Sequence, residues 1–214
     1  MNPMNDRLLS VKNLTIGFPS HQGVFYALKQ VDLDIRFDQS IGIVGESGSG
    51  KSLTALSILN LVPPSALIYS GNIIFHQQNH KEIDLLQAHP QVLRSIRGRH
   101  VSMIFQEPMT SLNPVYTCGD QVTEMMIGHL HYSPKEAREK ATDLFNEVEL
   151  PHPARILKSY PHELSGGQRQ RVMIAMAISC DPQLLIADEP TTALDVTIQK
   201  SILRMLQGLR QRYG

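Results

Sequence analysis

Eight consecutive residues have the composition and order of a phosphate-binding loop. They match the pattern Gly-x-x-x-x-Gly-Lys-Ser and are Gly45, Glu46, Ser47, Gly48, Ser49, Gly50, Lys51 and Ser52. Glycines allow backbone N–H groups to turn towards phosphate oxygens, and a helix that starts here adds a favourable dipole for an anion. Lys51 is placed to reach the β and γ phosphates of a nucleotide, and the Ser52 hydroxyl to ligate Mg²⁺. The alternative interpretation is a glycine turn that binds nothing.

A second group of candidate residues follows an apolar run later in the chain. Leu184–Ala187 predicts a buried strand, and Asp188 and Glu189 come directly after it. Because parallel strands deliver their C-terminal ends to the ligand crevice, Asp188 is a candidate to orient Mg²⁺ and Glu189 to polarise an attacking water. Buried strands also end in acids for purely structural reasons. The phosphate-binding pattern upstream favours the functional interpretation.

A third candidate is the sequence Leu-Ser-Gly-Gly-Gln at Leu164–Gln168. Ser165 and Gln168 have the spacing of a capping box, which by itself predicts an ordinary helix start. Gly166 and Gly167 reduce helix stability in the first turn but permit the close approach of a ligand. We therefore expect a second phosphate site at this helix N-terminus. One nucleotide does not easily touch both this site and Lys51 of the same chain, which predicts a facing second copy.

The elements that must position these residues alternate between strand and helix patterns. Besides Leu184–Ala187, strands are predicted at Leu9–Phe18, Val31–Phe37, Ile41–Val44, Gly71–Phe75 and Val101–Phe105. Helical spacing follows Lys51 as far as Pro63, runs from about Gln121 to Tyr160 with a break at Pro151–Pro153, and returns after Ser165 and from about Thr197. This order predicts an α/β fold with mainly parallel strands in the core and an inserted helical subdomain at about 115–165.

The composition is that of a globular protein without a nucleic-acid partner. The 20 Lys and Arg residues balance 20 Asp and Glu, so the basic excess that nucleic-acid binding usually needs is missing. The first seven residues are polar and lack the apolar core of a signal peptide. The longest apolar stretch, Val172–Cys180, is too short to span a bilayer. We expect a membrane link, if there is one, to run through a protein partner.

At these residues the chain resembles the ABC ATPase family over nearly its whole length. The resemblance implies a P-loop NTPase fold with an antiparallel β region near the N-terminus, and the cofactors ATP and Mg²⁺. It identifies Leu164–Gln168 with the signature motif, Leu184–Glu189 with the Walker B strand and Ala193–Asp195 with the D-loop.

Two further positions take their roles from the same resemblance. Gln106 matches the Q-loop glutamine, which senses Mg²⁺ and contacts the membrane partner. Phe18 occupies the place of the aromatic residue that stacks on adenine, where the family more often has tyrosine. The alternative for Phe18 is a core phenylalanine.

The residues in and around these motifs narrow the resemblance to one part of the family, the ATPases of importers. Met103–Pro114 and Tyr160–Gln168 resemble the ATPases of dipeptide, oligopeptide and nickel importers, and Ala55–Leu59 with Pro63 and Ser70 is similar to the first half of duplicated ATPases for microcin C and oligopeptide uptake. The resemblance implies a head-to-tail dimer with a second cassette around two ATP molecules. It also implies permease subunits, a solute-binding protein as an indirect partner, and a peripheral location on the cytoplasmic face of the bacterial inner membrane.

In the family, a switch histidine lies on a strand that follows the helix after Asp195. The chain reaches Gly214 within that helix, which predicts a C-terminally truncated cassette, 1–214, that is inactive by itself. Two alternatives to a transport ATPase stay open. One is a fragment that binds nucleotide without hydrolysing it, and the other is a soluble ABC ATPase outside transport.

Overall fold

The computed structural model describes residues 6–77, 81–106, 111–191 and 195–213. The chain divides into two compact units. The first ends at Arg94 and the second spans Ser95–Tyr213. The phosphate-binding loop belongs to the first unit, and the other motifs, from Gln106 to Asp195, belong to the second.

The first unit is built on an antiparallel sheet of four strands. They are β1 (Arg7–Ser20), β2 (Gly23–Arg36), β3 (Leu67–His76) and β4 (Glu82–Asp84), in the order β2-β1-β3-β4. Strand β1 lies between β2 and β3 and buries Leu9, Leu14 and Ile16 completely. The consecutive residues 8–11 are all buried, so both faces of the strand are covered there, since successive side chains point to opposite faces. The antiparallel N-terminal region implied by the resemblance is confirmed.

Helix α1 (Lys51–Ile58) begins with the last two residues of the phosphate-binding loop, and helix α2 (Pro90–Ile96) follows the sheet. The prediction of a buried strand at Ile41–Val44 is wrong: this segment has no regular secondary structure, and Val44 is 96% exposed. A buried strand needs backbone partners, and none of the described strands pairs with this segment.

The second unit combines two parallel strands with helices. In chain order it contains β5 (Val101–Ile104), α3 (Cys118–Leu130), α4 (Pro134–Glu147), α5 (Pro153–Ile156), α6 (Gly166–Ile178), β6 (Leu184–Ala187) and α7 (Val196–Tyr213). A short 3-10 turn at Pro161–Glu163 precedes α6. The helices predicted after Gln121, Pro134, Ser165 and Thr197 are confirmed within a few residues, as is the break at Pro151–Pro153.

The helices of the second unit share one apolar core. Val122, Met126, Phe145 and Ile174, from three different helices, are at most 1% exposed. Helix α4 begins as predicted at Pro134, where the Glu136 N–H donates to Ser133 Oγ and the Ser133 N–H donates to Glu136 Oε2. The Ser133 hydroxyl, which also donates to Glu136 Oε2, lowers the pKa of the Glu136 carboxyl, and the bond from the Ser133 N–H lowers it further.

Strands β5 and β6 form a parallel pair with Val101 opposite Leu184 and Ile104 opposite Ala187. Strand β6 is half-buried and Ala187 is exposed, so the predicted strand is present but the prediction that it is buried is wrong. The reason is that β5 is the one neighbour of β6 among the described strands, which leaves its other edge uncovered.

Candidate functional site

The phosphate-binding loop is a compact turn that Lys51 closes. The Lys51 ammonium donates to the carbonyl oxygens of Gly45 and Glu46, both at 2.9 Å, and the Ser49 N–H donates to the Glu46 oxygen at 3.2 Å. The positive charge is therefore held over the loop that leads into α1. A cation in this position, at the N-terminus of a helix, favours an anionic ligand.

Gly50 fixes the end of this loop against the sheet. Its φ of +92° lies in the left-handed region, which glycine adopts without steric cost. A Cβ built on Gly50 would lie 2.5 Å from Leu28 Cδ2 and 3.2 Å from the Ala27 oxygen, both on β2. The close approach of loop and strand therefore depends on the absence of a side chain at this position.

The residues at the start of α1 fit a nucleotide phosphate with its Mg²⁺. Gly50 provides no side-chain cap for the described helix, and the first turn contains no acidic residue. The positive end of the helix dipole therefore remains available to an anion. Lys51 adds a full charge, and Ser52 places a hydroxyl of the kind that ligates Mg²⁺ in the same turn.

Phe18 lies in β1 directly opposite Phe25 of β2. Phe18 is half-buried, whereas Phe25 is 67% exposed. Phe18 is thus neither a fully buried core residue nor an isolated exposed ring.

In the second unit, the ends of the two parallel strands bring Gln106, Asp188 and Glu189 to one edge. The Asp188 N–H donates to the Ile104 oxygen at 3.0 Å, which extends the strand pairing by one residue. Just beyond it, Gln106 Nε2 donates to Glu189 Oε2 at 3.0 Å. Sequence reasoning placed both residues in the site but missed this bond between them.

The backbone of Glu189 is unusual for a residue with a side chain. Its φ of +45° lies in the left-handed region, which costs free energy for a non-glycine residue and is concentrated at functional sites and turns. Together with the Gln106 bond, this conformation fixes the direction of the carboxylate at the strand end. An oriented carboxylate beside Asp188 suits either a divalent cation or the activation of water.

The segment Leu164–Gln168 starts helix α6 with the capping box that its spacing predicts. The Ser165 N–H donates to Gln168 Oε1 at 3.0 Å, and Ser165 Oγ accepts from the Gln168 N–H at 3.3 Å. Ser165 is exposed, and Gly166 is half-buried. A ligand can therefore approach the hydroxyl from solvent.

Gly167 has a packing role that the sequence did not reveal. It is buried, and a Cβ built on it would lie 3.1 Å from Cγ2 and 3.2 Å from Cδ1 of Ile198 in α7. The glycine therefore allows α6 and α7 to approach each other closely. This role does not exclude the approach of a ligand at Gly166 and Ser165.

Asp195 is the N-terminal cap of α7. Its Oδ1 accepts from the N–H groups of Thr197 and Ile198 at 3.1 and 3.0 Å, and its carbonyl accepts from Gln199. The preceding D-loop residues Ala193 and Leu194 lie outside the described residues, as do positions 107–110 of the importer-like segment.

Neither cysteine is a candidate nucleophile. Cys118 and Cys180 are free and buried. Burial, with the Glu163 charge as a smaller cause, raises the pKa of the Cys118 thiol to about 11, and burial raises the pKa of Cys180. Both therefore stay protonated at neutral pH.

A protein-family model described as ABC transporter matches residues 28–192, which contain the Gly45–Ser52 loop, Gln106, Leu164–Gln168 and the two carboxylates that follow β6. The chain belongs to the ABC transporter family. The assignment of individual residues to the family's motifs, and the role of each residue, remain predictions.

Two curated relatives of this ABC cassette are named as peptide-transport proteins. The probable peptide ABC transporter ATP-binding protein y4tR of Sinorhizobium fredii is 49% identical over 214 residues, which are 100% of this chain and 62% of the relative. The dipeptide transport ATP-binding protein DppD of Bacillus subtilis is 46% identical over 208 residues, 97% of this chain and 61% of the relative. The chain thus spans about 62% of the length of y4tR.

A solved structure confirms the predicted cassette fold. The ATP-binding cassette MJ0796, in a dimeric post-hydrolysis state bound to ADP and Pi, superposes with a TM-score of 0.82 at 31% identity. The match covers 96% of this chain and 84% of that chain. In the described part of this cassette, no helix combines the length and the apolar character needed to cross a bilayer.

The capping role of Asp195 can be separated from any role in catalysis. Asp195→Ala removes the oxygen that accepts from Thr197 and Ile198, so we expect the free energy of unfolding to fall by about 1 kcal/mol. Asp195→Asn retains an oxygen acceptor and should stay close to the original protein. Urea denaturation measures both variants; an equal loss in both, or no loss in the alanine variant, would contradict the cap.

Proposed function

We propose that this chain is the ATP-binding and ATP-hydrolysing part of an ABC importer for peptides. The observation that carries the proposal is the loop closed by Lys51 at the uncapped start of α1. The names of the relatives, which are peptide and dipeptide transport proteins, support the substrate class. The finer relation to one half of a duplicated ATPase stays a prediction.

In the proposed reaction the β and γ phosphates of ATP bind at the N-terminus of α1, where Lys51 exchanges its bonds to the loop carbonyls for bonds to phosphate oxygens. Mg²⁺, when bound, would neutralise part of the phosphate charge, and Ser52 is the residue of the first unit that would hold it. In the second unit, Gln106 and Asp188 are the predicted ligands of a divalent cation. Glu189 accepts a proton from the attacking water. Its bond to Gln106 fixes the direction of the accepting carboxylate in the described structure.

The exposed Ser165 hydroxyl supports a head-to-tail dimer. It lies at the start of α6, a helix of 13 residues, and so presents a hydroxyl and a helix dipole to a phosphate. A second cassette would supply the loop that holds the same nucleotide. The dimeric state of the structurally similar MJ0796 cassette is consistent with this arrangement.

We place the contact with the permease on an exposed apolar surface of the second unit. Val115, Tyr116 and Tyr160 are 71%, 56% and 40% exposed. The bond from the Cys118 N–H to the Ser159 oxygen, 2.8 Å, holds their two segments together. Apolar and aromatic exposure of this kind is typical of a protein-binding surface.

The proposed location is the cytoplasmic face of the bacterial inner membrane, with a solute-binding protein as an indirect partner.

A second candidate is nucleotide binding without hydrolysis. The observation that favours it is the irregular, exposed segment Ile41–Val44, because a loop entered from such a segment is less rigidly positioned than one that follows a strand. ATP binding without turnover, measured for the protein assembled with its permease, would support this candidate over an ATPase.

The role of Lys51 in ATP binding is testable by substitution. Lys51→Ala removes a charge-assisted bond worth roughly 1.5–3 kcal/mol, so the Kd for ATP should rise about tenfold or more. Lys29→Ala, at an exposed position of β2, is the matched control for the loss of one positive charge. Equilibrium titration of a protein that still unfolds cooperatively gives both values, and an unchanged Kd in Lys51→Ala would remove the phosphate site from this loop.

The role of Glu189 is testable through turnover. Glu189→Gln retains the shape and an acceptor for Gln106 but removes the negative charge that attracts the proton of water. In the protein assembled with its permease, we expect ATP hydrolysis to fall by about 10²-fold or more while ATP binding is retained. Glu139→Gln, an exposed carboxylate on α4, should leave both unchanged. Substantial hydrolysis by Glu189→Gln would place the base elsewhere.

A further inference from the structure

The first unit exposes a phenylalanine that none of the motifs explains. Phe25 stands directly across from Phe18 in the β1–β2 pair, so the two side chains lie on the same face of the sheet. Phe25 is 67% exposed, so its ring is accessible to a ligand from solvent. The family resemblance places the base of the nucleotide on Phe18 alone.

A β-bulge decides which face carries this pair. Ile16 is opposite Leu28 while Gly17 is opposite Tyr26, so β2 has one extra residue, Ala27, at this point. Because of the bulge, Phe25 lies on the same face as Leu28 and Ile16. Without it, Phe25 would face the other side.

Tyr26, which is next to Phe25 in β2, lies on the opposite face of the sheet. A Cβ built on Gly17 would lie 2.7 Å from Val24 Cγ1 and 3.2 Å from Tyr26 Cδ1, so these two side chains cover Gly17. The Tyr26 ring packs edge-on against Tyr69 with a centroid distance of 5.3 Å. Tyr26 therefore has a partner on its own face and is separated from Phe25 by the sheet.

The face of Phe25 is the face that receives the phosphate-binding loop. Gly50, at the start of α1, approaches Leu28, and Leu28 shares its face with Phe25. Leu28 lies three positions after Phe25 in β2, which corresponds to a distance of about 7–10 Å. This is the range that a ribose and the inner phosphates span between the outer phosphates of a nucleotide and its base.

We propose that Phe25 and Phe18 together form the binding surface for the purine base of the nucleoside triphosphate whose phosphates occupy the Gly45–Ser52 loop. The inference rests on the proposed nucleotide-binding function and adds a residue to it. Two phenyl rings offer π-faces and no hydrogen-bonding groups, so they hold the base through stacking and burial of apolar area. The exposed ring of Phe25 becomes covered when the base binds.

The test compares ATP with inorganic tripolyphosphate, which offers the same kind of phosphate chain without a base. For Phe25→Ala, we expect the Kd for ATP to rise about tenfold and the Kd for tripolyphosphate to stay unchanged. Phe25→Trp keeps a stacking ring and should retain ATP affinity. Tyr26→Ala is the matched control, since it removes an exposed aromatic side chain from the other face of the same strand.

Each result of this titration supports or overturns the inference. If Phe25→Ala leaves the Kd for ATP unchanged, or if Tyr26→Ala raises it equally, Phe25 does not bind the base, while the phosphate site stands. An equal loss of ATP and tripolyphosphate affinity in Phe25→Ala would also overturn it, because the effect would then not depend on the base. If the unsubstituted protein binds neither ligand, the proposed function is wrong and the base site falls with it.

Discussion

The close approach of Gly50 to Leu28 is the constraint on which the proposed nucleotide site of the first unit depends. It allows the turn closed by Lys51 to lie against β2, so that the positive start of α1 and one face of the antiparallel sheet meet. A side chain at position 50 would separate them, since its Cβ would lie 2.5 Å from Leu28. The bulge at Ala27 then turns Phe25 towards the same face. In the proposed nucleotide site, phosphate and base recognition would therefore depend on one glycine and one extra residue in a strand.

In the second unit, the main feature of the candidate site is the fixed orientation of the Glu189 carboxylate. The parallel pairing of β5 and β6 brings Gln106 and Glu189 to the same edge, where the amide holds the carboxylate through a 3.0 Å bond. The left-handed backbone at Glu189 contributes to its direction. An acid that is oriented in this way needs little rearrangement before it accepts a proton, which is the property that a general base requires.

Much of this could be predicted from the sequence because the signals are local. The order Gly-Lys-Ser after a glycine-rich turn, the capping box from Ser165 to Gln168 and the Pro134 helix start each depend on neighbouring residues alone. The irregular state of Ile41–Val44, the exposure of β6, the packing of Gly167 on Ile198 and the direction of Phe25 depend on partners distant in the chain. The hydrophobic pattern of these segments does not show which strand or helix each of them packs against.

A crystal structure of the protein with Mg²⁺ and a non-hydrolysable ATP analogue tests the central claim most directly. The account predicts phosphate oxygens at the start of α1 within hydrogen-bonding distance of Lys51 Nζ, and a purine ring stacked on the face that carries Phe18 and Phe25. A purine bound on the opposite face, beside Tyr26 and Tyr69, or a triphosphate bound away from α1, would contradict it.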